Sequence, residues 1–70
     1  MDSEKYIVLE IQTMSDGQIG NLVTAYADKN QAESAYHSVL AAAALSNLPK
    51  HAASLLSNEG YLLESKSYSH

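Results

Sequence analysis

Apolar and polar positions along this chain follow a period of two, then a helical period, then two again. From Lys5 to Met14 (KYIVLEIQTM), Ile7, Leu9 and Ile11 alternate with Glu10 and Gln12 in a stretch rich in β-branched and aromatic residues, which predicts a strand. Ser15-Asp16-Gly17 is a turn signal, with Asp suited to bond the backbone and Gly to take a positive φ. Gln18 to Ala27 (QIGNLVTAYA) then completes a hairpin, within which Gly20 marks a bulge or a close backbone contact.

The period changes after Asp28. Ala32, Ala35, Tyr36, Val39, Leu40, Ala43 and Ala44 recur at three and four residues and form the stripe of one amphipathic helix. Asn30 is expected to cap its start, with Glu33 reaching back as in a capping box, and the helix should end near Ser46-Asn47 ahead of Pro49. His51 to Ser57 (HAASLLS), the turn Asn58-Glu59-Gly60 and Tyr61 to Tyr68 (YLLESKSY) read as a second hairpin. The order is ββαββ: one α+β domain over residues 1–70, frayed at 1–4 and 69–70. A four-stranded antiparallel sheet in the order 2-1-3-4, with the alanine-rich helix across one face, is its simplest closure.

This architecture leaves one sheet face uncovered, yet several strands carry apolar neighbours that must point to both faces. Ile7-Val8-Leu9, Leu22-Val23, Leu55-Leu56 and Leu62-Leu63 all do so. The reading drawn from them is a homo-oligomer, a dimer packed sheet to sheet, with Val8, Leu22, Leu55 and Leu62 at the interface. Ala41, Ala42 and Leu45, at the edge of the helical stripe, offer a second surface for another subunit's helix. Composition supports association. Seventy residues without Phe, Trp or Cys build a thin core and no disulfide or thiolate metal site, and small chains in that position recruit another subunit.

Charge narrows the partners. Eight carboxylates against four lysines and no arginine give a net charge of −4, which opposes direct nucleic-acid binding. The acidic start and short apolar stretch fit neither a signal peptide nor a membrane span, so a cytoplasmic protein is expected. No nucleophile elbow, phosphate-cradling glycine loop or paired carboxylate is present, so no enzyme and no cofactor is expected. Glu33 and His37, four residues apart on the helix, are two potential metal ligands. Two are too few, and His51 and His70 fall in loop or tail positions, so no metal is expected either. The tyrosines carry the site reading: Tyr36 and His37 in mid-helix, with Tyr68 and His70 at the tail, are expected to form a polar-aromatic binding patch for a partner protein or a small nucleotide.

Tyr6-Ile7-Val8-Leu9-Glu10-Ile11-Gln12, the helical segment Ala32 to Ala44 and Leu48-Pro49-Lys50-His51-Ala52 resemble small uncharacterised proteins encoded by phages and prophages of gut Firmicutes. The resemblance runs from Lys5 to His70 and implies a context in the cytoplasm of an infected bacterium, with no reaction to transfer. On that footing the chain is expected to be a non-catalytic interaction module that blocks or sequesters a host factor, a defence effector or its nucleotide signal. The alternatives are a virion structural or assembly component and, last, a small enzyme.

Overall fold

The computed structural model describes residues 4–70. Strands β1 (Tyr6–Thr13) and β2 (Ile19–Tyr26), helix α1 (Lys29–Ala44), and strands β3 (Lys50–Ser57) and β4 (Leu62–Ser69) follow in that order. They form one antiparallel sheet, ordered β2-β1-β3-β4, as the sequence predicts. The looseness expected of residues 1–3 lies outside the described residues; Glu4 is exposed and belongs to no element. At the other end Ser69 pairs with Lys50, and the His70 N–H donates to the Pro49 carbonyl at 3.0 Å, so residues 69–70 are tied to the sheet rather than frayed. Among the described residues no helix is long and apolar enough to cross a membrane.

The two hairpins close on the same turn. Gly17 and Gly60 have φ of 90° and 92°, and each donates its N–H three residues back, to Met14 and Ser57. Three-residue loops of this kind need a left-handed residue in third place, which glycine takes without a Cβ clash. Side chains complete them: Asp16 accepts from the Gln18 N–H, and the Ser57 hydroxyl accepts from Glu59 and Tyr61. β1 and β2 pair without interruption, so Gly20 is not a bulge. It is a close contact instead, with the Met14 methyl 3.4 Å from where a Cβ would stand. The bulge lies in β4: Leu55 pairs with Glu64 and Leu56 with Leu62, which leaves Leu63 unpaired.

The helix begins earlier than expected. Asp28 is the N-cap, accepting from the Asn30 N–H at 3.2 Å, so Asn30 is already helical and Glu33 is too far along to close a capping box. The other end stops at Ala44, with Leu45 as C-cap in right-handed geometry donating to the Ala42 carbonyl and the Ser46 N–H donating to that of Ala43. Ser46 then accepts from the Leu48 N–H, turning the chain toward β3 without a left-handed asparagine.

Beneath the helix, Val8, Ala32, Tyr36, Ala53 and Leu55 form the core, with Tyr6, Tyr26, Ala35, Val39 and Leu40 packed around it. Ala32, Ala43 and Ala53 are fully enclosed, because the helix approaches the sheet closely only where side chains are small. The cross-strand register assigns the faces. Val8 pairs with Leu55 and with Thr24, Glu10 with Ala53 and Leu22, and Gln12 with His51, all on the helix side. Ile7, Leu9 and Ile11 therefore point the other way, together with Val23, Ala25, Ala52, Leu56 and Leu62.

This corrects the interface set read from the sequence. Val8 and Leu55 are core residues covered by the helix, 3% and 1% exposed, and cannot meet a partner. Leu22 is exposed but stands on the helix side of edge strand β2, beside Glu10, whereas Leu62 does lie on the open face.

Candidate functional site

The face of the sheet under the helix is only half apolar. Past Val8 and Leu55 it turns polar: the His51 imidazole, almost wholly buried, bonds the Glu10 carboxylate through Nε2, and the Gln12 amide donates to the same carboxylate at 3.4 Å. The other ring nitrogen, Nδ1, is enclosed and has no hydrogen-bond partner among the described residues. His51 thus belongs to β3, as the second hairpin predicts, and not to the loop position assumed for it as a metal ligand. The sheet register sets it opposite Gln12 on one side and Tyr68 on the other.

Between α1 and β4 runs an open groove of about 620 Å³, lined by Tyr36, His37, Leu40, Ala41, Ala44, Glu64, Ser65, Lys66 and Tyr68. The helix supplies one wall because Tyr36, Leu40 and Ala44 follow at intervals of four. The strand supplies the other because Glu64, Lys66 and Tyr68 share one face at intervals of two. Three of the four residues assigned to the binding patch therefore meet here. The Tyr36 and His37 rings lie 5.4 Å apart, tilted by 59°. Tyr68 carries the Lys66 ammonium 5.1 Å above its ring centre.

His70, the fourth, is beside the groove rather than in it. Its ring stacks near-parallel on Tyr68 with centroids 6.5 Å apart, and its Nε2 donates to the Ala43 carbonyl at 2.9 Å. That bond is a second one to a carbonyl that already accepts the Ser46 N–H at 3.2 Å, and it fastens the residue after β4 across the helix C-terminus.

Glu64 and Lys66 were missed in the sequence. Both belong to a serine-rich strand, and only the antiparallel register of β3 and β4 carries them across to the helix. Glu64 completes a triad with Glu33 and His37, in which one donor atom from each lies within 4.8 Å of the other two. Glu33 is half-buried and its salt bridge to Lys29 is long, 3.9 Å. Burial raises the Tyr36 phenol above its ordinary pKa of 10.0, and the charge of Glu64, then Tyr68, raises it further. Tyr36 lines the groove. Tyr36 is 3% exposed, and among the described residues nothing hydrogen-bonds that hydroxyl.

No family model, curated protein or solved structure matches the chain.

Proposed function

We propose that this chain is a non-catalytic binding module that pairs with a second copy through the open face of its sheet and offers the groove between α1 and β4 to its ligand. The observation that carries the reading is the orientation of β1. Its three largest aliphatic side chains, Ile7, Leu9 and Ile11, face away from the helix, while the covered side holds Glu10 and Gln12. A monomer would place those aliphatics under its only helix. Around them Val23 and Leu62 are 58% and 61% exposed, and Leu56 and Ala52 continue the apolar surface across β3.

A four-stranded sheet of eight-residue strands presents about 500 Å² in projection. Two such faces bury on the order of 1,000 Å² or more, the size at which a protein interface becomes specific. A second copy is the occupant that matches this surface in both extent and polarity, since its one lysine, Lys50, stands at the end of β3 away from the aliphatic centre. Groove chemistry is different: two tyrosines, an imidazole, a carboxylate and a lysine suit a polar, flat-ringed ligand or an exposed polar segment of a protein. The resemblance to phage-encoded proteins makes that ligand a host factor in the bacterial cytoplasm, a defence effector or its nucleotide signal, which the module blocks or sequesters. The non-catalytic reading is supported by the histidines, since among the described residues none of the three hydrogen-bonds a serine hydroxyl.

Sedimentation at micromolar to hundred-micromolar concentration tests the core of this reading. The chain is expected to run as a dimer, and Val23→Asp with Leu62→Asp as a folded monomer. A monomeric mass for the unaltered chain across that range overturns it.

A further inference from the structure

The geometry points to a divalent metal site at the mouth of the groove, formed by Glu33, His37 and Glu64 and suited to a borderline transition ion such as Zn²⁺. The argument begins with the donor set. Glu33 and His37 are one helical turn apart and project together, and β4 brings the Glu64 carboxylate to them, so three donors from two rigid elements converge within 4.8 Å. One imidazole nitrogen and two carboxylate oxygens, with no thiolate in the chain, favour Zn²⁺, Co²⁺ or Mn²⁺ over Ca²⁺, which takes six or more oxygens.

Three protein ligands with a position left for solvent or substrate is the arrangement of a zinc site that is open to a ligand. Donors around such an ion stand about 3.4 Å apart, given bonds near 2.1 Å. Closing from 4.8 Å takes rotamer adjustments of about 1 Å, and the His37 and Glu64 side chains are exposed and free to make them.

Two further features select this cluster from an ordinary acidic patch. Neither the His37 ring nor the Glu64 carboxylate has a hydrogen-bond or ion-pair partner among the described residues, and Lys66, the nearest lysine on the strand, is committed to the face of Tyr68. Two carboxylates thus share a site with an imidazole, and Lys29, 3.9 Å from Glu33, is a loose counter-charge at its edge. Secondly, Tyr36 lines the same groove and its hydroxyl is without a partner among the described residues, although 97% of the residue is enclosed, a packing that leaves one polar atom for something in the groove. A water on the ion, or a ligand displacing it, gives that hydroxyl its partner. The inference is independent of whether the chain dimerises.

The test is Zn²⁺ titration of the metal-stripped full chain, followed by calorimetry and by NMR of the three imidazoles, with Co²⁺ absorption as a second readout. One ion per chain is expected to bind, shifting the His37 ring resonances and leaving those of His51 and His70 in place. His37→Ala and Glu64→Gln, both at exposed positions, should each weaken binding by about tenfold or more with the thermal midpoint unchanged. Saturation with shifts at His70 or His51, unaltered affinity in both variants, or no saturation by about 1 mM overturns the site.

Discussion

Glu10 and His51 meet where a sheet covered by a helix ordinarily carries two aliphatic side chains. Their side chains are 17% and 5% exposed, so both have lost most of their water, and their mutual hydrogen bond is the shortest either makes, with the Gln12 amide at the longer distance of 3.4 Å from Glu10. A pair in that position is worth little against two well-packed apolar residues, but removing one member strands the other. Glu10→Leu should therefore cost about 2–3 kcal/mol, and adding His51→Leu should recover at least half of it, as read from urea unfolding of the single and double variants. A single variant within 0.5 kcal/mol of the unaltered chain, about the noise of a surface substitution, would show that the two groups are solvated rather than paired. The same polar insertion explains why Ile7, Leu9 and Ile11 are displaced to the opposite face: β1 alternates strictly, so Glu10 and Gln12 under the helix put all three aliphatics outside.

At the scale of elements, the helix start separates a cap from a look-alike two residues away. Asp28 accepts from the Asn30 N–H and sits in extended geometry, whereas Asn30 has entered the first turn. Asp28→Ala should cost about 1 kcal/mol of stability and Asn30→Ala only a few tenths, a contrast that denaturation of the two variants measures directly. Equal costs would place the cap at Asn30. From sequence alone the cap falls at Asn30, because of its capping-box spacing to Glu33, two residues past the true cap. Elements with a strong local signature were legible: both Gly turns, the stripe from Ala32 to Ala43, the strand order that follows from them. What local chemistry does not contain is which face of each strand the helix covers. Period two is symmetric, and Val8 against Ile7, or Leu55 against Leu56, differ by one residue of register that only the packed helix decides. The groove shows the same division. Tyr36 and His37 were visible as neighbours on a helix, but Glu64 joins them through the β3–β4 register, with its bulge at Leu63, and nothing near position 64 announces it.

For the whole molecule, the consequence of a half-polar core and an apolar outer face is that folding and association should be one process. The enclosed apolar cluster contains one large side chain that is fully buried, Leu55, supported by Tyr36, Val8 and two alanines, a small core even for a 70-residue chain. If the open face closes on a second copy, the native state is a dimer and unfolding releases two chains, so stability rises with concentration by mass action. Each tenfold increase adds about 1.4 kcal/mol per dimer, hence about 0.7 kcal/mol per chain. For a chain of this size that raises the thermal midpoint by about 3–6 °C. Melting followed by circular dichroism at 5, 50 and 500 µM, on the order of the range where such interfaces form, should show that rise at each step. The variant carrying Val23→Asp and Leu62→Asp should melt lower and at one temperature throughout, since it removes association without touching Val8, Leu55 or the helix. A midpoint of the unaltered chain that is independent of concentration would mean that the core under α1 suffices by itself, and that the aliphatic face of β1 serves a partner other than its own copy.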